Sequence, residues 1–182
     1  MFPTLEETKG KAVAAIDGHR DWLIDVAKTI LRTPEPGFQE VRTSRLVSGK
    51  LDELGIPHET GIAITGAKGY IRGTRSGPTI AVIGELDSLR VPGHPHADPD
   101  TGAAHACGHH CQIGMMLGVA VGLGMPEVRA ALAGQVALMA VPAEEFIDVE
   151  HRWKLREEGK LELLSGKQEF IRLGAFDDVD MA

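Results

Sequence analysis

With 182 residues, 43% of them hydrophobic, the chain can bury the core of one medium-sized domain, and its length gives no reason to divide it. The formal net charge of -7 is spread without a basic cluster, which argues against nucleic acid or an anionic membrane surface as a partner. Met1 to Glu7 holds two acidic residues and no basic region followed by an apolar run, so a secretory signal is not expected and the cytoplasm is the expected compartment.

From Leu5 to Leu31, Val13, Ile16, Leu23, Val26, Ala27, Ile30 and Leu31 recur mostly at three- and four-residue steps, the period of an amphipathic helix, with Gly18 as a point of interruption. Thr33-Pro34-Glu35-Pro36-Gly37 must end it, because the prolines lack a backbone donor and the glycine favours a turn. A second helix is predicted from about Glu40 to Leu54, stopped by Gly55. Strand-like pieces follow at His58 to Ile64 and Lys68 to Arg72, and the apolar run Thr79 to Leu86 reads as a strand buried on both faces and ending at Asp87.

Residues 88 to 106 form a long loop rich in Pro, Gly, His and Asp, and a loop of that length in a compact domain is commonly functional or disordered. It leads into His105-Ala106-Cys107-Gly108-His109-His110-Cys111-Gln112, which concentrates three of the eight histidines and both cysteines. A thiolate at Cys107 and an imidazole at His109 can close on one metal ion, since Gly108 permits a tight fold between them. The competing readings are a Cys107–Cys111 disulfide across a very short loop, Cys111 as a small buried hydrophobe on the following helix, and solvated loop histidines. Thiols in a chain with no export signal fit a reducing compartment.

A glycine-rich helix is predicted from His109 to about Leu123, and its apolar run, broken by glycines, is shorter than the roughly 20 residues that span a bilayer. Gln135 to Val141 reads as another buried strand, ending at Pro142-Ala143-Glu144-Glu145. A charged helix from Asp148 to Glu158 reads as a solvated surface helix, and Asp177, Asp178 and Asp180 as a solvated turn.

Alternating helices and strands predict an α/β sandwich with a mainly parallel sheet, in which sites form beyond the carboxyl ends of strands. Asp87 and the Glu144/Glu145 pair then lie past two strand ends, with Cys107 and His109 just before the helix that joins them. That convergence favours a metal site. One glutamate would complete the ligand set, and the other would take a proton from the metal-activated water and pass it to a leaving amine.

Glu85-Leu86-Asp87-Ser88-Leu89, His105-Ala106-Cys107-Gly108-His109 and Pro142-Ala143-Glu144-Glu145 resemble three successive motifs of the metal-dependent amidohydrolase branch of the aminoacylase/carboxypeptidase superfamily. That branch includes hippurate, indole-acetyl-amino-acid and aminobenzoyl-glutamate hydrolases. Thr33 to Glu40 is similar to the family's Pro-Glu-x-Gly-Phe-x-Glu segment. The resemblance implies a zinc-peptidase-like fold, Cys107, His109 and Glu145 as metal ligands, Glu144 as the catalytic base, and Asp87 as the acid that orients a ligand. Glu85 stands where relatives outside the branch place a metal-binding histidine. The implied cofactor is Zn²⁺ or Mn²⁺, with two ions in a full-length protein. The implied substrate is a small N-acyl amino acid or peptide, and oligomerisation is expected only of the longer relative.

The chain departs from the family where His110 and Cys111 replace the usual Asp or Asn after Cys-Gly-His, which bears on the hydrogen bonding around the ligands and on metal choice. His94 and His96 read as solvated loop residues. Family members are much longer, with an inserted lid or dimerisation domain and two further histidine ligands. Residues 1–182 are therefore expected to be an N-terminal portion of the catalytic domain, inactive alone. The rival expectation is a module that binds a metal or a partner without catalysis, and within enzymes a dipeptidase or carboxypeptidase.

Overall fold

The computed structural model describes residues 4–182; of the stretch read for an export signal, residues 1–3 lie outside the described residues. The expected first helix is two, α1 (Leu5–Gly18) and α2 (Arg20–Arg32), with the junction at Gly18-His19. Thr4 opens α1 with a capping box: its hydroxyl accepts from the Glu7 amide while the Glu7 carboxylate accepts from the Thr4 amide. The next helix, α3 (Val41–Glu53), follows the Pro-Glu-Pro-Gly turn. Its first amides are satisfied from outside the helix, by the buried Glu35 carboxylate, which accepts from the Arg42 and Thr43 amides at 3.0 and 2.8 Å.

Strands β1 (His58–Ile62), β2 (Gly66–Arg72) and β3 (Arg75–Glu85) come next, followed by a two-residue pair, β4 (Leu89–Arg90) and β5 (Ala103–Ala104), inside the long loop. Helix α4 (His109–Gly124) leads through the unforeseen short α5 (Pro126–Ala131) to β6 (Ala133–Val141). Two helices, α6 (Val149–Glu157) and α7 (Gly166–Arg172), complete the chain.

The sheet order is β1-β2-β6-β3. The pair β3/β6 is parallel, as βαβ strands are, while β1 and β2 form an antiparallel hairpin whose β2 also pairs antiparallel with β6, so the sheet is mixed. Met181 extends it with a single parallel bridge to Ile80. Strand β6 is buried on both faces: Val136, Leu138 and Ala140 pack with α2, α3 and α4, and Ala137, Met139 and Val141 pack with Leu155 and Phe170 from α6 and α7. Glycines 114, 118 and 122 of α4 admit close approach of Ala27, Leu23 and Ile16 from α1 and α2. Among the described residues no helix is long and apolar enough to cross a membrane.

The charged helix α6 is not wholly solvated, for Arg152 is 1% exposed and Leu155 is buried. Nor do the C-terminal aspartates form a free turn: Asp178 accepts from Lys68 Nζ and from the Tyr70 hydroxyl, and Asp180 accepts from the Thr79 amide at 2.8 Å. These partners lie on strands more than a hundred residues earlier, beyond the reach of a local pattern.

Candidate metal centre

Strands β3 and β6, being parallel neighbours, end side by side. There Glu85, the last residue of β3, and Asp87, Glu144 and Glu145 just beyond the strands meet Cys107 and His109, which arrive at the N-terminus of α4. Gly108, at φ 98°, is the residue that turns the loop into that helix, in a left-handed conformation a side chain disfavours.

One ligand atom from each of Cys107, His109 and Glu145 lies within 4.8 Å of the other two, and the same holds for Glu85, His109 and Glu144. His109 is at the centre of both groups. Its Nδ1 donates to the Asp87 carbonyl oxygen at 2.9 Å and sits 3.4 Å from Asp87 Oδ1. Because a carbonyl oxygen only accepts, Nδ1 carries the proton and Nε2 faces the carboxylates: Glu85 at 2.8 Å, Glu144 at 3.7 Å and Glu145 at 3.9 Å. Burial opposes a charge on this imidazole, but hydrogen bonds to Asp87, Cys107 and Glu85 outweigh it and push the pKa up to about 12. Burial likewise opposes ionisation of Glu85, yet His109 and Lys167 bring its pKa down to about 2.

Thiol, imidazole and carboxylate donors in one cluster, with the imidazole's second nitrogen held by the protein, fit a divalent ion of the zinc type. Asp87, 0% exposed, supports the cluster from beneath: Oδ2 accepts from the Glu145 amide at 3.0 Å. Lys167 was not singled out from sequence. It sits at the start of α7 and places its ammonium between Glu85 and Glu144, donating to Glu85 and lying 3.5 Å from Glu144 Oε1.

Cys111 lies on the outer face of α4 and is exposed, contrary to the buried reading, because His109, Ile113, Met116 and Leu117 take the inner face. Both cysteines are free thiols. Of the loop histidines, His96 is exposed and His94 half-buried, whereas His105 is buried beside His110, with ring centroids 5.6 Å apart. Burial, reinforced by the charges of His110 and His109, lowers the His105 pKa to about 4.

No protein-family model matches the chain. Among curated proteins it is 38% identical over 144 residues to IAA-amino acid hydrolase ILR1-like 2 of Arabidopsis thaliana, a match covering 78% of this chain and 32% of that protein. It is 34% identical over 129 residues to thermostable carboxypeptidase 1 of Saccharolobus solfataricus, covering 69% of this chain and 32% of the relative. The chain thus spans about a third of the length of the curated relatives it matches.

Among solved structures, the YXEP protein of Bacillus subtilis, described as a dinuclear metal-binding peptidase from the M20 family, superposes with a TM-score of 0.72 at 27% identity, over 90% of this chain and 42% of that one. The aminobenzoyl-glutamate utilization protein from Klebsiella pneumoniae, with a TM-score of 0.65 at 20% identity over 91% of this chain and 42% of that one, shares the fold.

Proposed function

From this homology to amidohydrolases and carboxypeptidases, we propose that the chain is the N-terminal portion of a metal-dependent hydrolase acting on the amide bond of N-acyl amino acids or related small amides. The observation that carries the proposal is the meeting of Cys107, His109 and Glu145 within 4.8 Å at two strand ends. These three residues would hold a divalent ion, zinc or manganese, with a second ion and the remaining ligands belonging to a longer protein.

When bound, such an ion lowers the pKa of a coordinated water toward 7 and makes it a nucleophile at neutral pH. Glu144, half-buried beside Glu145, is the proton acceptor: it takes the proton as water attacks the carbonyl carbon and delivers it to the leaving amine as the carbon–nitrogen bond breaks. Asp87 fixes His109 through its backbone carbonyl and side chain and fixes the Glu145 backbone through Oδ2. Lys167 balances the charge of Glu85 and Glu144. A thiolate ligand suits a reducing compartment, the cytoplasm.

Peptides are the second substrate reading, favoured by the carboxypeptidase relatives. The lid or dimerisation domain, and any oligomer it makes, would lie outside residues 1–182, so the chain alone is not expected to turn over. The test is metal content of the purified chain by mass spectrometry, wild type beside Cys107→Ser, with hydrolysis of an N-acyl amino acid measured in parallel. Bound metal that is lost in the variant supports the reading. A folded wild type that takes up no zinc or manganese overturns it for these residues, and hydrolysis by the chain alone overturns the expectation of inactivity.

A further inference from the structure

Ala143 is the joint at which β6 turns into Glu144-Glu145, and its backbone is in the left-handed region at φ 49°, where a residue with a Cβ is strained. It is 0% exposed. Two buried side chains from opposite sides hold it there. The Ala143 amide donates to Glu40 Oε1 at 2.8 Å, and the Ala143 carbonyl oxygen accepts from Arg152 Nη1 at 3.1 Å. Each holding group is itself fastened. Glu40, 0% exposed, accepts at its other oxygen from the Thr65 hydroxyl at 2.7 Å.

Arg152 donates from Nη1 to the Leu164 carbonyl oxygen at 2.7 Å and from Nη2 to the Glu145 carbonyl oxygen, with its guanidinium 5.5 Å from the ring centres of Phe38 and Phe146. The surroundings leave the joint no slack. A Cβ on Gly37 would lie 2.7 Å from Arg152 Nη2 and 2.9 Å from the Ala143 Cα, and one on Gly166 would overlap the Pro142 carbonyl oxygen. Three segments, around Gly37 to Glu40, Arg152 and Gly166, thus converge on a single strained peptide that carries no chemistry of its own.

We propose that Glu40 and Arg152 are positioning residues that clamp the peptides around Ala143 and thereby aim Glu144 and Glu145 at the site. The roles of Glu144 and Glu145 rest on the function proposed above; the clamp itself does not. It acts through the backbone, so a carboxamide at position 40, which also accepts from the Ala143 amide, serves nearly as well as the carboxylate, whereas removal of the acceptor frees the joint.

The test compares Glu40→Ala, Glu40→Gln and wild type of the 182-residue chain by residue-resolved amide hydrogen exchange and by zinc titration. In Glu40→Ala, exchange at the Ala143 and Glu145 amides should accelerate about tenfold or more, with the Ala137 to Met139 amides of β6 unchanged. Zinc affinity should fall about tenfold or more, and Glu40→Gln should restore both to near wild type. Exchange that rises equally throughout the chain, or that stays unchanged at Ala143, would overturn the clamp. If Glu40→Ala does not fold, Arg152→Lys, which keeps the charge but loses the two-nitrogen fork, decides by the same readouts. A wild type that binds no zinc would sink the metal reading and leave the exchange result to judge the clamp.

Discussion

The Glu145 amide donates to Asp87 Oδ2 at 3.0 Å, so the segment leaving β6 is bonded directly to the segment leaving β3. The same carboxylate presents Oδ1 to His109 Nδ1 at 3.4 Å. Asp87 therefore holds the Glu145 amide by a hydrogen bond to Oδ2, while Oδ1 makes a charge contact with His109 without a hydrogen bond. In Asp87→Asn one oxygen becomes an amide nitrogen that donates, which either opposes the Glu145 amide or lies buried beside His109 with no acceptor, and the negative charge is lost. We expect a loss of about 1–3 kcal/mol in stability for the unsatisfied buried group. Zinc affinity should fall about 10- to 100-fold, as when the outer partner of a ligand is lost. Urea melts and metal titration on one protein preparation check both, and an Asn variant with wild-type zinc affinity would show that Asp87 does not orient the site.

Glu144 and Cys107 should separate binding from chemistry. Cys107→Ser is expected to lose the ion, while Glu144→Gln keeps it within about threefold, since a base that is not a ligand is dispensable for binding. In any longer protein that carries this segment and turns over, Glu144→Gln should lower kcat by about a hundredfold or more. Equal loss of metal in both variants would assign Glu144 to the ligand set.

Glu40 predicts a pH dependence of stability. Burial, reinforced by the Asp87 charge, raises its carboxyl from the ordinary 4.5 to about 7 in the folded chain. Between those values the folded state holds a proton that the unfolded chain has released. Stability contributed by this group therefore falls as pH rises from about 4.5 to about 7 and is level outside that window, the total being about 3 kcal/mol. Denaturant melts across that range should show the decline in wild type and its absence in Glu40→Gln; parallel curves would contradict it.

Lys167 adds positive charge to the site proposed to hold a cation. Lys167→Met removes an ammonium lying 3.5 Å from Glu144 Oε1 and bonded to Glu85. Zinc affinity should rise by about two- to tenfold through the lost repulsion at a partly exposed position, an effect that added salt weakens. A fall in affinity would mean that the lysine shapes the carboxylates more than it repels the ion.

Two glycine substitutions test the packing. Gly166→Ala drives a Cβ into the Pro142 carbonyl oxygen and should cost about 3 kcal/mol or more, or abolish folding. Gly10→Ala, in the open interior of α1 with nothing within 4 Å, should stabilise by about 0.5–1 kcal/mol through helix propensity alone. Thermal melts distinguish the two signs.

The elements and the strand ends that matter were legible from local patterns. Apolar period, proline and glycine act between near neighbours, so α3, α4, β3 and β6 were legible to within a few residues of their bounds, apart from the earlier start of β3 at Arg75. Because β3 and β6 are apolar runs with a helix between them, Asp87, Cys107, His109, Glu144 and Glu145 could be placed at one sheet edge before any coordinates. The division at Gly18 was readable as a point of weakness, whereas α5 and the two-residue strands in the loop were too short to carry a period.

Which polar groups are buried, and what they meet, depends on contacts between distant segments. Glu40 bonds to the Ala143 amide across 103 positions, Lys167 to Glu85 across 82, and Lys68 to Asp178 across 110. Arg152 lies in a run of charged residues that reads as solvated, and nothing local marks it as the one turned inward beneath Phe38 and Phe146. The burial of an ionisable side chain is set by what the rest of the chain folds against it, and hydrogen bonds between segments that far apart leave no period in the sequence to be read.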